Sequence, residues 1–261
     1  MKLSDRILSF GELIQTQDEL NTLMAGDKWK ANMTPAQYVV QIGVELNELL
    51  CDSGVKYKWW KKHDDSVLLD NWNLKIEIID ALHFALSAHI LVIRSEIAAH
   101  EDADYRNSIN EQISTMATEM FLGIDAMTIA GANATPPLIV KEDGWIDYDM
   151  YAQLIADSML YINTQQLSYL DLFRLSYCFM LMLTAAMGLT TQEISAIYSA
   201  KATLNRIRMS SGYKQGKYVK IEDGIEDNAR LEILVNDFLN TPTMSLRSLE
   251  RNVRNKFFVT K

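Results

Sequence analysis

The feature that most constrains this sequence is residues 74–93, LKIEIIDALHFALSAHILVI, in which apolar residues occupy almost every side of a helix. A helix that is apolar nearly all round belongs in a protein interior. Four polar side chains nevertheless fall within a sector of roughly 120° at about 100° per residue: Glu77, Asp80, His83 and Ser87. Because burying carboxylates without partners is very costly, this polar stripe indicates a site rather than a simple core helix.

A second segment, residues 35–52, repeats the pattern, and Thr34 followed by Pro35 is a typical helix start. Its polar positions share a sector of roughly 80°: Gln37, Gln41, Glu45, Glu48 and Asp52. Carboxylates from two such helices would repel one another unless cations lie between them. Oxygen ligands spaced by three residues on two helices suit Mg²⁺, with Mn²⁺ as a substitute.

Composition supports an ordinary globular chain with an acidic balance. Of 261 residues, 48% are hydrophobic and 23% charged, and 25 Lys+Arg against 34 Asp+Glu give a formal net charge of −9. This balance argues against a partner that is a nucleic-acid backbone. With only four prolines and 11 glycines, the periodic segments predict an all-α helical bundle in one catalytic domain, 1–261. The predicted helices are 3–24, 35–52, 72–99, 104–130, 147–160, 167–186 and 190–208, with a loop at 131–145.

The sequence also favours a cytoplasmic protein, or one in the host cytoplasm if a phage encodes it. Its N-terminus lacks the apolar region of a secretory signal, and no apolar stretch is long enough to span a membrane. Cys51 and Cys178 lie in apolar surroundings without a CxxC partner, which predicts two buried, reduced thiols.

After Arg208 the character of the chain changes. Residues 209–230 include SGYKQGKYVKIEDGIEDNAR, which combines glycines, tyrosines and lysines in an otherwise acidic protein. This composition predicts an irregular loop that closes over anionic groups. A solvated turn is the alternative.

Other uses of the carboxylates have to be weighed. Ferritin-like di-iron bundles need two Glu-x-x-His motifs, whereas this chain offers only Asp80-x-x-His83. No nucleotide-binding glycine motif or nucleophile elbow is present. A non-catalytic helical scaffold or binding protein, with its carboxylates paired to Lys61, Lys75 or Arg208, is the alternative from another class.

Several segments, in order, resemble the dimeric dUTPases of the all-α nucleoside-triphosphate pyrophosphohydrolase superfamily, which occur in trypanosomatids, some bacteria and phages. The early segments are Gln17-Asp-Glu-Leu-Asn21, Glu45-Leu-Asn-Glu48, Tyr57-Lys-Trp-Trp-Lys61 and Lys75-Ile-Glu77-Ile-Ile-Asp80-Ala-Leu-His83-Phe84. The late segments are Lys201-x-x-Leu-Asn205-x-x-Arg208, Gly212-Tyr213-Lys214-x-Gly216-x-Tyr218 and Glu226-Asp227-Asn228. The resemblance covers roughly 10–95 and 170–230 and leaves 96–166 as a variable helical insertion.

The resemblance implies a homodimeric enzyme that hydrolyses dUTP to dUMP and pyrophosphate, with dUDP as a further substrate. Such an enzyme clears dUTP from the nucleotide pool and supplies dUMP. Glu45, Glu48, Glu77 and Asp80 would hold Mg²⁺, and Glu48 would help to deprotonate the attacking water. The implied substrate-binding residues are Gln17 and Asn21 on the base edge, Trp60, His83 and Phe84 near the nucleoside, and Lys201, Asn205, Arg208, Tyr218 and Asn228 on the phosphate side.

Some alternatives stay open at this point. Gln17 and Asn21 could be exposed polar positions, and Lys201 to Arg208 could be a solvated stripe. Trp59 and Trp60 could pack in the core or at a dimer interface. Family members commonly have Trp where this chain has Leu82, so the same chemistry on dCTP or another deoxynucleotide is the nearest alternative.

Overall fold

The computed structural model describes residues 5–64, 66–91, 139–159 and 188–257. The described helices are α1 (Phe10–Ala25), α2 (Trp29–Asn32), α3 (Pro35–Asp52), α4 (Asn71–His89), α5 (Tyr148–Met159), α6 (Thr191–Ser210), α7 (Asp227–Asn240) and α8 (Leu246–Phe257). The described strands are β1 (Ile221–Glu222) and β2 (Ile225–Glu226). This confirms the predicted all-α class, whereas the predicted helices 104–130 and 167–186 lie outside the described residues.

The chain forms two compact units. The terminal unit contains residues 1–29 and 191–261, and the central unit contains residues 30–190. The single catalytic domain stays a prediction, as does the helical insertion at 96–166, of which only 139–159 is described.

In the central unit, α3 and α4 pack along each other. Thr34 and Gln37 form a capping box at the start of α3, and the Asp70 side chain accepts a hydrogen bond from the Asn73 N–H (3.0 Å) at the start of α4. Helix α3 buries one apolar face, whereas α4 is buried nearly all round, including Glu77 and His83. The amphipathic and interior characters predicted for these helices are therefore confirmed.

Helix α5 lies against α3, where the Tyr151 hydroxyl donates a hydrogen bond to the Leu46 carbonyl (3.1 Å). The segment before it makes isolated backbone bridges, Lys56 with Trp145 and Val140 with Ile146. These bridges place the described part of the predicted loop against the segment that follows α3.

In the terminal unit, α6 packs against α1, α7 and α8. The predicted start of α1 at residue 3 is wrong, because Ser9 and Glu12 form a capping box that begins the helix at Phe10. Helices α7 and α8 follow the region in which helices were predicted. Leu231, Val235 and Phe238 form the buried side of α7, and Leu246, Leu249 and Val253 form that of α8.

The predicted loop at 209–230 contains a single 3₁₀ turn, Tyr213–Gln215, and the β1–β2 hairpin. The hairpin turns at Asp223 and Gly224, which both have positive φ (53° and 77°), as tight two-residue turns require. The loop prediction is wrong from Asp227 onwards, because α7 begins there.

The prediction that Cys51 is buried is also wrong. Cys51 is exposed, because it lies near the C-terminal end of α3 on its polar side, and its Sγ lies 3.4 Å from the Tyr57 hydroxyl. Cys178 lies outside the described residues. Within the part of the chain that the structure describes, no helix has the length and hydropathy to cross a membrane.

Candidate active site

Three glutamates from α3 and α4 form a carboxylate cluster in the central unit. One carboxylate oxygen each of Glu45, Glu48 and Glu77 lies within 4.8 Å of the other two. Glu45 and Glu48 share a face of α3 because they are three residues apart, and Glu77 projects from α4. Glu77 is only 9% exposed, Glu45 is half-buried and Glu48 is exposed.

This donor set fits a hard divalent cation. Carboxylate oxygens are the preferred ligands of Mg²⁺ and Mn²⁺, and three like charges at this spacing repel one another without a cation. The cluster therefore extends from the exposed Glu48 on α3 to the buried Glu77 on α4. The arrangement can bind a cation and leave part of its coordination open to solvent or substrate.

Asp80, the fourth predicted ligand, follows Glu77 on α4 and is half-buried. The group of oxygens within 4.8 Å contains Glu45, Glu48 and Glu77 and does not include Asp80. Three of the four predicted ligands are therefore brought together, and the role of Asp80 stays a prediction.

The residues predicted near the nucleoside differ in their surroundings. His83 is buried on α4, and the half-buried Phe84 lies with its ring centroid 6.2 Å from that of Tyr38. Trp60 is 62% exposed and makes an edge-to-face contact with Trp59, which is 75% exposed. Packing of either tryptophan in the core of the central unit is therefore excluded.

In the terminal unit, Gln17 and Asn21 are buried rather than exposed (3% and 5% exposed). The Gln17 side-chain NH₂ donates to Asn21 Oδ1 (3.0 Å), and the hydroxyl of Tyr198 donates to Gln17 Oε1 (3.0 Å). The alternative that these two amides are ordinary surface positions is therefore wrong.

A second buried polar group in the terminal unit surrounds Arg208 and is called the arginine cluster. The Arg208 guanidinium donates two hydrogen bonds to the Asp227 carboxylate, from Nε (2.9 Å) and from NH2 (2.7 Å). The Tyr218 hydroxyl donates to the same carboxylate (3.0 Å). Asp227 is fully buried and Arg208 is 9% exposed, so this is a desolvated, bidentate ion pair.

Asn228 joins two of the cationic residues of α6, Lys201 and Arg208. Its Oδ1 accepts a hydrogen bond from Lys201 Nζ (3.1 Å) and another from Arg208 NH2 (3.2 Å). Asn205 accepts a further bond from Arg208 NH1 (3.1 Å). Lys201 is 2% exposed, so the alternative of a solvated stripe is wrong for both cations.

The surroundings of the ion pair shift the pKa values of Asp227 and Tyr218. Burial alone would raise the pKa of Asp227, but the hydrogen bonds and positive charge of Arg208 outweigh burial and hold that pKa below its ordinary value. Burial, followed by the charge of Asp227, raises the pKa of Tyr218 to about 12. Asp227 is thus an anion and Tyr218 a neutral donor at neutral pH.

Two buried residues that hydrogen-bond predicted site residues were not themselves among those predicted. Asp227 carried a signal, since it is the middle residue of Glu226-Asp227-Asn228, one of the segments that carry the resemblance. Tyr198 carried none, because a tyrosine within an apolar helix looks like an ordinary core residue.

Comparison with known families decides the assignment. The family described as dUTPase matches residues 9–213, which include the carboxylate cluster, the buried amides and the cationic residues of α6. The chain belongs to the dUTPase family. It is an all-α enzyme with dUTP diphosphatase activity, and members of its family act on a nucleotide and generally use a divalent metal ion. Tyr218, Asp227 and Asn228 lie beyond the matched residues. No curated protein sequence matches the chain.

Proposed function

We propose that this dUTPase is a Mg²⁺-dependent enzyme that converts dUTP to dUMP and pyrophosphate. The observation that carries the proposal is the convergence of Glu45, Glu48 and Glu77, within 4.8 Å of one another, inside the region that matches the family. A dUTPase needs a means of neutralising the triphosphate, and the acidic carboxylates provide it only together with a cation.

Glu45, Glu48 and Glu77 would hold the metal, with Asp80 as a further ligand. When bound, Mg²⁺ would supply charge neutralisation for the phosphates and lower the pKa of the attacking water. Glu48 is the exposed member of the cluster, so its carboxylate is the one best able to accept a proton from water arriving from solvent. The buried Glu77 would hold the metal from the side of α4.

Each remaining predicted residue is proposed to contact the substrate. On the central unit these are Trp60, His83 and Phe84, which would contact the nucleoside. On the terminal unit, Gln17 and Asn21 would read the base edge through amide donors and acceptors. The phosphate oxygens would be bound by Lys201, Asn205 and Arg208, with Tyr218 and Asn228 in the segment that closes over them.

We further propose that the enzyme is a homodimer that acts in the cytoplasm, where its nucleotide substrate occurs. The exposed edge-to-face pair of Trp59 and Trp60 supports an association surface, since large aromatic side chains are enriched in protein interfaces. Light scattering of the purified protein would measure the mass, and a monomer at micromolar concentration would contradict this part of the proposal.

The reaction is tested by incubating purified protein with each deoxynucleoside triphosphate in Mg²⁺, in Mn²⁺ and in EDTA, and quantifying pyrophosphate and monophosphate. We expect dUTP with Mg²⁺ to give equal amounts of dUMP and pyrophosphate, and EDTA to abolish both. A higher kcat/KM for dCTP than for dUTP would contradict the proposed base preference. Full turnover in EDTA would contradict the role of the carboxylate cluster.

A further inference from the structure

A buried chain of hydrogen bonds links α6 to the two amides of α1. The Tyr198 hydroxyl lies 3.0 Å from Gln17 Oε1 and 3.2 Å from the Leu13 carbonyl, and Gln17 Nε2 lies 3.0 Å from Asn21 Oδ1. Tyr198 is fully buried. These hydrogen bonds are therefore shielded from water, which could otherwise replace one of the hydrogen-bonding groups.

A phenol hydroxyl has a single proton, so only one of its two neighbouring carbonyls can receive a full hydrogen bond. Leu13 and Gln17 are four residues apart in α1, and the Leu13 carbonyl already accepts the helical N–H of Gln17. The bond to Gln17 Oε1 is the shorter of the two, at 3.0 Å against 3.2 Å, and we assign the proton to it for that reason. Donation by Tyr198 fixes the carbonyl end of the Gln17 amide towards α6.

The polarity of the next link follows from the first. With its oxygen held by Tyr198, Gln17 presents its NH₂ group to Asn21, and Asn21 must present its oxygen in return. Any further hydrogen bond that the Asn21 amide nitrogen makes is then one in which Asn21 donates. A carbonyl oxygen of a pyrimidine matches such a donor, whereas an amino group at the same place opposes donor to donor.

We propose that Tyr198 is a positioning residue for base selection, which sets the donor and acceptor directions of the Gln17–Asn21 pair so that Asn21 donates to a carbonyl of the base. The inference rests on the proposed role of Gln17 and Asn21 in reading the base. Tyr198 itself is too deeply buried to touch a substrate, so its effect reaches the base only through the two amides.

The decisive variant is Tyr198→Phe, which keeps the ring and removes the hydroxyl. The loss of one neutral hydrogen bond changes an equilibrium constant by about threefold to tenfold. We expect the ratio of kcat/KM for dUTP to kcat/KM for dCTP to fall by this amount. The change should lie mainly in KM for dUTP. Ser195→Ala is the matched control, because it removes a buried hydroxyl from α6 that contacts Leu8 N and the Thr191 carbonyl. It should leave the ratio unchanged.

Asn21→Asp tests the polarity directly, because it keeps an oxygen for Gln17 and replaces the donor with an acceptor. We expect the dUTP-to-dCTP ratio to fall further than in Tyr198→Phe, since an acceptor favours an amino group over a carbonyl. If Tyr198→Phe lowers kcat/KM for both nucleotides equally, or lowers kcat alone, Tyr198 is only a structural residue and the inference is overturned.

Gln17→Ala separates this inference from the function on which it rests. If Gln17→Ala changes the nucleotide ratio and Tyr198→Phe does not, only the role of Tyr198 fails. If neither Gln17→Ala nor Asn21→Asp changes the ratio while dUTP is still hydrolysed, the proposed base-reading role fails and the inference fails with it.

Discussion

The arginine cluster of the terminal unit and the carboxylate cluster of the central unit both include buried charged side chains on packed helices, but their charges are arranged in opposite ways. Arg208 and Asp227 bring a cation and an anion together at 2.7 Å. Glu45, Glu48 and Glu77 bring three acidic side chains together, with one oxygen of each within 4.8 Å of the other two. The opposite charges of the arginine cluster attract each other and stabilise it. Like charges in the carboxylate cluster repel one another and destabilise it in the absence of a cation.

This difference separates two uses of buried charge. In the arginine cluster, Asp227 fixes the guanidinium, and Tyr218 and Asn228 satisfy the remaining polar atoms, so its geometry is preset by the fold. In the carboxylate cluster, the fold brings like groups together in an arrangement that suits a divalent cation. Substitutions that remove one charge should therefore affect stability in the first cluster and activity in the second.

The largest effect is expected from Asp227→Asn, which leaves the Arg208 charge buried without its anion. Removing one partner of a buried ion pair costs about 3–5 kcal/mol, and denaturant unfolding would measure this loss in the free energy of unfolding. The control is Glu226→Gln, which breaks the 2.5 Å pair with Lys220 whose side chains are 48% and 43% exposed. It should cost no more than about 1 kcal/mol, and equal losses in the two variants would contradict the distinction.

Glu77→Gln should act on turnover rather than on folding. Loss of residues that merely support metal ligands costs about 10–100-fold, so loss of a buried ligand should lower kcat/KM for dUTP by more than about 100-fold. Circular dichroism should show an unchanged helix content. Glu142→Gln, an exposed change in the same unit, is the control and should keep full activity. Retention of more than a tenth of the activity in Glu77→Gln would show that Glu77 is not a ligand.

Mg²⁺ should stabilise the protein through the carboxylate cluster and not through the arginine cluster. A ligand at 100 times its Kd raises the free energy of unfolding by about 2.7 kcal/mol. Thermal unfolding with Mg²⁺ and with EDTA should show this rise in the unmodified protein and in Asp227→Asn, but not in Glu77→Gln. The same rise in all three proteins would place the stabilising cation elsewhere.

A smaller contrast is expected in acid. The pKa of Asp227 in the folded state lies below its ordinary value of 3.8, so the unfolded state binds the proton more readily than the folded state. The stabilising contribution is then complete above pH 3.8 and is lost as the pH falls through the folded pKa. We would measure the free energy of unfolding by denaturant between pH 6 and 3. It should fall less with decreasing pH for Asp227→Asn than for the unmodified protein, and an equal fall in both proteins would contradict this.

The sequence was sufficient to predict α3, α4, α5 and α6, because each combines a clear helical repeat with a capping residue or an apolar face. It was also sufficient to predict that the three glutamates cluster. The spacing of Glu45 and Glu48 puts them on one face of α3, and Glu77 lies in the polar stripe of α4. Residues whose role depends on distant partners were harder to predict. Asp227 is important because the fold brings it to Arg208, and Tyr198 because α1 packs on α6, and neither contact is encoded by a local pattern. The start of α1 was missed because the Ser9 capping box lies within a continuing apolar repeat.

The smallest effect, and the most specific to a group of like charges, is expected from Glu48→Gln measured in EDTA. Glu48 is the exposed member of the carboxylate cluster, so its repulsion with Glu45 and Glu77 is partly screened by water and salt. Removing its charge without a metal present should leave Tm unchanged or raise it by less than about 2 °C, and the rise should shrink as NaCl increases. In Mg²⁺ the sign should reverse, because the same substitution removes a ligand and therefore part of the stabilisation by metal. A fall in Tm in EDTA would mean that the Glu48 carboxylate has a favourable partner in the folded state. The inference that it mainly repels Glu45 and Glu77 would then be wrong.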